Sequence, residues 1–119
     1  MRLVEDPGAA SWLDQLGGEA EDFEWDVGNR PKLKKHRVDQ DDVESMFRSP
    51  IVLAGRIIEP AHDEPRWLVL GTSEGGRKLA LILTRRRERL RPVSCRPMRR
   101  HERKVYEEAI REKDEVGSS

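Results

Sequence analysis

Four apolar runs of strand length most restrict what this chain can fold into: Ile51 to Leu53 continuing towards Ile58, Trp67 to Gly71, Leu79 to Thr84, and Leu90 to Arg96. Each is short, rich in Leu, Ile and Val, and bounded by turn-forming residues, which reads as a strand rather than a helix. Gly75-Gly76 lies between the second and third runs and reads as a hairpin turn. The segment Glu59 to Pro65 carries two prolines and mixed charge, the pattern of an exposed loop. Helical spacing occurs around these runs. Asn29 can cap a helix that has Pro31 in its first turn and continues from Leu33 to His36. Asp39 can cap a second, with Asp42 in the first turn, Val43, Met46 and Phe47 facing inward, and Pro50 closing it. A last helix is predicted from about Arg99 to Glu112, stapled by Met98 and striped by Val105, Ala109 and Ile110. Phe23-Glu24-Trp25 alternates as a short strand would, with both aromatics on one side.

With 119 residues the chain fits one domain and one core, burying roughly two thirds of its unfolded surface. Hydrophobic residues make up 35% and charged residues 39%, so apolar segments must be used economically and the ends are expected to be unpacked. Residues 1–21 read as an acidic, disordered leader, the alternative being a short helix with Ser11 as N-cap and Trp12, Leu13 and Leu16 on one face. The domain proper is then 22–112, and 113–119 a frayed tail. A single cysteine, Cys95, excludes an intramolecular disulfide and any Cys-cluster metal site and points to a reducing compartment. No apolar run approaches the roughly 20 residues that span a bilayer, and the acidic start lacks the basic and apolar regions of a signal peptide. The expectation is a cytoplasmic protein with no membrane association. His62 stands beside Asp63 and Glu64 with nothing to complete a ligand set, so no metal site is expected there.

Charge cancels to formal zero over the chain but separates along it. From Arg77 to Lys104 there are twelve cations against Glu88 and Glu102, whereas before Val27 Arg2 stands alone against eight acids. Cations gathered on strands and at the start of a helix are the usual footprint of a polyanion binder, although solubility also drives surface charge.

Several stretches in order carry a resemblance. They are Phe23-Glu24-Trp25-Asp26 with Gly28-Asn29, Lys35-His36 with Val38, Asp42-Val43-Glu44 with Phe47, Arg66 leading into Leu68-Val69-Leu70-Gly71, Gly76-Arg77, the Leu79 to Thr84 strand, Val93 to Arg96 with Met98, and Arg100, Glu102, Arg103 and Tyr106. Together they resemble the BrnT family, the toxin half of a bacterial type II toxin-antitoxin pair, over roughly Asp22 to Ile110. Three positions depart from the family pattern: Arg37 where glycine is frequent, Pro97 after Arg96, and Pro92, which removes a ladder donor and implies a bulge or an edge.

The resemblance implies an α+β fold of RelE-like type: a small antiparallel sheet with two N-terminal helices and one C-terminal helix. It further implies an endoribonuclease that needs no metal or other cofactor and cuts RNA by attack of the ribose 2'-hydroxyl on the adjacent phosphate. Such a reaction needs a cation facing the phosphoryl oxygens, a proton acceptor and a proton donor. Arg96 and Arg66 can grip phosphate, His36 can carry a proton, Lys35 can donate to phosphate, and Tyr106 can position the nucleotide or act through its hydroxyl. Arg85, Arg86, Arg87, Arg89, Arg99 and Arg100 can bind RNA. Each has a plainer alternative. Arg96 and Arg66 can be strand-edge cations or ion-pair with Glu24 or Glu102, His36 can be a helix-terminal histidine, Lys35 a surface lysine, Tyr106 a packing residue, and the arginine run a solvated hairpin tip.

The implied partner is a BrnA-like ribbon-helix-helix antitoxin in a 2:2 heterotetramer, with operator DNA bound only through the antitoxin. A different reading is a non-catalytic toxin-like module that binds a partner protein or RNA without cleavage. A further one has the acidic leader folding over the basic sheet in cis.

Overall fold

The computed structural model describes residues 1–117, with side chains described through Asp114. Five strands form one antiparallel sheet in the order β1-β2-β3-β4-β5: β1 Arg2–Val4, β2 Val52–Glu59, β3 Arg66–Thr72, β4 Lys78–Arg86 and β5 Arg89–Pro97. Every run read as a strand in the second half of the sequence is one, extended by one or two residues at most of its ends. The β3–β4 connection is the expected Gly75-Gly76 turn, with Gly76 at φ 87° and the Gly76 amide donating to the Ser73 carbonyl at 2.9 Å.

Alternation along the strands sorts side chains onto two faces. Trp67, Val69, Leu79, Leu81, Leu83, Leu90 and Cys95 face one core, filled from the N-terminal side by Leu13, Phe23, Leu33, Val38, Val43, Met46 and Phe47. Leu68, Leu70, Ala80 and Ile82 face the other, covered in part by Met98 and by Tyr106, Ala109 and Ile110 of the C-terminal helix. Leu70, Leu79, Leu81 and Leu83 are fully buried, each contributing about 1.5–3 kcal/mol by the removal of apolar surface from water.

The helices are α1 (Pro7–Leu13), α2 (Gln40–Met46) and α3 (Arg100–Gly117), with 3-10 segments at Ala20–Asp22 and Arg30–His36. In α2 the cap is as expected: the Asp39 carboxylate accepts from the Asp42 amide at 2.8 Å, and Asp42 reciprocates at 3.1 Å. The segment predicted as a helix from Asn29 is instead 3-10, and Asn29 does not cap it. The buried Asn29 amide bridges elements, accepting from the Asp26 amide at 2.8 Å and donating to the carbonyls of Glu24 at 2.9 Å and Pro92 at 3.1 Å. It thereby ties the residue 23–29 segment to the free side of β5, where Phe23 bridges to Leu90.

The leader is ordered, contrary to its compositional reading. β1 pairs with β2, and α1 starts at Pro7 under an Asp6 cap that accepts from the Ala9 amide at 3.1 Å, earlier than the alternative start at Ser11. Ala9 and Leu13 are buried, Trp12 meets Trp67 edge-on at 5.2 Å, and the Trp67 indole donates to Asp6 at 2.8 Å. Asp6 adds to the acidic character of the segment and yet serves as its cap and as an indole acceptor, so composition underrates the leader. Gly55 makes room for β1: it sits at φ 153° in a bulge of β2, and a Cβ would lie 2.8 Å from the Val4 carbonyl. At the other end α3 runs through residues read as a tail, and Lys113 donates to the Ile51 carbonyl at 2.7 Å. Ser118 and Ser119 lie outside the described residues. No described helix is long and apolar enough to cross a membrane.

Candidate functional site

The α3-facing side of the sheet carries Arg96. Register pairs Arg96 with Ala80 and Ala80 with Leu70, so its side chain rises on that face beside the first turn of α3. There the Glu102 carboxylate accepts from Arg96 Nη1 at 2.6 Å, from Arg96 Nη2 at 2.9 Å and from the Arg99 amide at 2.7 Å. The pair sits almost out of water, with side-chain exposures of 18% for Arg96 and 6% for Glu102. Burial pushes the Glu102 carboxyl up, but the Arg96 and Arg99 hydrogen bonds and the Arg96 charge outweigh it and leave the group below its ordinary value; Glu102 in turn raises Arg96. One helical turn on, the Tyr106 hydroxyl shares a 2.8 Å hydrogen bond with Thr72, and the residue is buried. Arg96 and Tyr106 are thus neighbours under one face of α3, the first in the ion pair with Glu102 that its plainer alternative named.

Arg66 shares this face but not this locality. It opens β3 four residues before Leu70, hence roughly 13 Å along the strands and two strand spacings, about 10 Å, across from Arg96. Its neighbourhood is the other end of the sheet, around Thr84, whose hydroxyl donates to the Pro65 carbonyl at 2.7 Å and whose β5 partner is Arg91. Arg91 is forked by carboxylates, donating to Glu24 at 2.8 Å and to Asp26 at 2.8 and 3.0 Å. Those bonds, with one from the Gly28 amide, draw Asp26 down to about 2. Arg86 pairs with Glu64 through Nε at 2.8 Å and lies 3.7 Å from Glu24. Two arginines, Arg86 and Arg91, and three carboxylates, Glu24, Asp26 and Glu64, therefore pair with one another around Arg66.

The arginine run at the β4–β5 hairpin is similarly engaged in part. Arg85 lies 4.6 Å over the Trp12 ring, and Arg89 donates to the Glu21 carbonyl at 3.0 Å. Arg87 and Glu88 form the exposed tip, both at positive φ, 51° and 67°. Arg99 and Arg100 are exposed at the start of α3. Of the leader, α1 packs into the opposite core, and only Met1 and Leu3 reach the α3 side of the sheet.

Lys35 and His36 end the 3-10 segment, which packs against β5 and is anchored by Leu33 and Val38 in the core under the opposite face. Lys35 is exposed and His36 half-buried, and the carbonyls of His36 and Arg37 accept from Arg77 at 3.0 and 2.7 Å. Arg37 closes the segment in the left-handed conformation, φ 56° and ψ 38°, the geometry that glycine adopts most readily. The departures at Pro92 and Arg37 thus have local explanations. The Pro92 carbonyl points away from β4 to Asn29, so its absent N–H removes no ladder bond, and the sheet register shifts beside it.

Two groups on the α3 face escaped the sequence reading. Arg91 was visible only through strand alternation, which the bulge at Val93 disrupts. His101 lies one residue before Glu102 and four before Val105, and this i,i+4 relation to an exposed apolar residue was the available signal. It lines a cleft of about 320 Å³ with Met1, Leu3, Ala54, Leu68, Leu70, Arg99, Glu102 and Val105. Cys95 lies in the opposite core, where burial pushes its thiol up to about 12.

No curated protein matches the chain significantly. A family profile does, over residues 25–102, a span that includes Lys35, His36, Arg66, Arg96 and Glu102 and excludes β1, α1 and Tyr106. That span is more than half of the sequence, and the chain belongs to the BrnT family, the ribonuclease toxins of type II toxin-antitoxin systems.

Proposed function

We propose that this toxin is a metal-independent endoribonuclease of RelE-like fold that cuts single-stranded RNA by 2'-hydroxyl attack, on the α3-facing side of its sheet. The observation that carries the reading is the fixed Arg96 guanidinium. Glu102 consumes one edge of it, Nη1 also donates to the Pro97 carbonyl at 3.3 Å, and the N–H groups left over are held in a set direction, as a preorganised donor to phosphoryl oxygens should be. Tyr106 steadies α3 and, through its hydroxyl, the nearby nucleotide. Arg66 meets a different linkage of the same strand, since its separation from Arg96 is too large for one phosphate. His36 and Lys35 act, in this reading, on RNA that passes the β5 edge, and Arg85, Arg86, Arg87, Arg89, Arg99 and Arg100 steer the polyanion.

The partner is a BrnA-like ribbon-helix-helix antitoxin in a 2:2 complex that binds operator DNA through the antitoxin dimer. The test is cleavage of a labelled RNA by purified toxin in EDTA, with growth arrest in parallel. Arg96→Ala should lower cleavage by about 10²-fold or more, in line with loss of one transition-state donor, and co-expressed antitoxin should restore growth. Undiminished cleavage by Arg96→Ala would remove the basis of the reading.

The second reading, a partner-binding module without cleavage, is favoured by one specific observation. Both terminal nitrogens of Arg96 are already bound to Glu102, as in a purely architectural latch. A wild-type protein that binds its antitoxin but neither cuts RNA nor arrests growth decides for it.

A further inference from the structure

The cleft between β1, the sheet and the first turns of α3 has a composition that the ion pair beside it does not explain. Its floor is aliphatic, made by Leu68 and Leu70 from β3, Ala54 from β2 and Leu3 from β1. Its rim holds Arg99, His101 and Val105 from the start of α3. Val105 stays 48% exposed and Met1 58%, so apolar surface at the mouth is left uncovered. Glu102 also reaches the cleft, but its oxygens are taken by Arg96 and the Arg99 amide. The Arg99 and His101 side chains enter no hydrogen bond or ion pair among the described residues. An apolar floor under two uncommitted nitrogen donors suits a ligand with one flat, poorly hydrated part and one anionic part. The volume, about 320 Å³, stands at the small end of the roughly 300–1,000 Å³ usual for ligand pockets, room for one nucleotide and too little for a peptide helix.

We propose that this cleft is a nucleotide subsite. A single base of single-stranded RNA, splayed from its neighbours, lies against Leu3, Ala54 and Val105, above the buried Leu68 and Leu70, and its phosphate is met by Arg99 and His101. The assignment rests on the ribonuclease reading, adds the place where one nucleotide is held, and adds His101 to the groups that touch RNA. The leader is then part of the site, because Leu3 and Met1 form the wall opposite α3.

The test uses the full chain and a fluorescent 2'-O-methyl tetranucleotide, which cannot be cleaved because the attacking hydroxyl is blocked. Val105→Trp fills the mouth from an exposed position and His101→Ala removes a donor; thermal melts of both should overlay wild type. Affinity should fall about tenfold or more for Val105→Trp and about threefold or more for His101→Ala, in line with loss of apolar contact and of one hydrogen bond, net of its exchange with water. By NMR the ring resonance of His101, one of three histidines, should move on addition of the probe while that of His62 stays in place.

Probe binding within twofold of wild type in both variants, or a shift confined to His36, overturns the proposal. If Val105→Trp keeps its RNA affinity and loses rescue by antitoxin, the cleft is a protein-docking groove and the proposal fails. A wild type that cleaves RNA while both variants cleave equally well sinks the subsite and spares the ribonuclease reading. Binding that depends on Val105 and His101 in a protein that cuts nothing does the reverse.

Discussion

Replacing Glu102 by alanine measures how far the site is held by one ion pair. The Glu102 carboxylate accepts three hydrogen bonds, two from Arg96 and one from the Arg99 amide at the start of α3. Both side chains are largely removed from water, so the loss is that of a buried pair broken on one side, about 3–5 kcal/mol, rather than the 0–1 kcal/mol of a surface pair. For a small domain with a total stability of about 5–15 kcal/mol that is a large fraction. Urea denaturation at pH 7 reads it directly. The double variant Arg96→Met/Glu102→Leu removes both charges and refills the space, and should lie within about 1–2 kcal/mol of wild type, giving a clear coupling in the cycle. The sign with pH follows from the folded Glu102 lying below its ordinary value. The pair stabilises above the unfolded carboxyl value near pH 4.3, and the contribution is lost as pH falls through the lower folded value. Glu102→Ala should therefore lack that part of the acid limb. A loss under about 1 kcal/mol, or single variants that simply add, would refute the claim that Arg96 is fixed by this partner.

Arg37→Gly should stabilise the protein by about 0.5–1 kcal/mol in urea, because a left-handed residue with a side chain is replaced by one that adopts φ 56° without steric cost; a loss of stability would mean that the Arg37 side chain has an uncharted partner. Asn29→Ala should cost about 2–4 kcal/mol, since three hydrogen bonds go and a buried carbonyl of β5 is left bare; a change below about 0.5 kcal/mol would show that the β5 edge is held by other contacts. Asp26, drawn down to about 2 by Arg91, stabilises above its unfolded value near 3.9 and ceases to do so as pH falls towards 2. Asp26→Asn should flatten the thermal-stability profile between those pH values, and an unchanged profile counts against the Arg91 pairing.

What the sequence discloses depends on whether a feature is written in one segment or between segments. Apolar runs such as Leu79 to Leu83 carry their own evidence, and the strands lie where they are read. The Asp39 cap is equally local. The leader fails on composition because Asp6 counts as a charge in the sequence and acts as an N-cap and an indole acceptor in the fold. Asn29 has the right residue type for a cap, yet its partners, the Glu24 and Pro92 carbonyls, come together only when β5 forms. The seven-residue 3-10 segment is too short for helix propensity to decide its hydrogen bonding, and its ends are set by Asn29 and the left-handed Arg37.

The grouping of arginines was hidden for a geometric reason that can be tested. Cys95 and Leu90 differ in parity, yet both face the same core, because Ser94 pairs with Ile82 and Pro92 with Leu83, leaving Val93 as an extra residue. The bulge reverses the alternation of β5, sending Leu90 inward and Arg91 to the face that holds Arg66 and Arg96. Plain alternation would put Arg91 in the core. Pro92 suits the spot because its backbone turns away from β4, and Asn29 holds its carbonyl. Deleting Val93 removes the extra residue and leaves each β4–β5 pair in place, with Leu90 still inward and Arg91 still on the face of Arg66. The cost is confined to the local twist and to the Asn29 bond on the Pro92 carbonyl, about 1–2 kcal/mol, so the deletion variant should keep a cooperative unfolding transition and sharp amide resonances. A deletion variant without a cooperative transition would mean that Val93 is not the extra residue and that the register of β5 is set elsewhere, and the placement of Arg91 beside Arg66 would lose its cause.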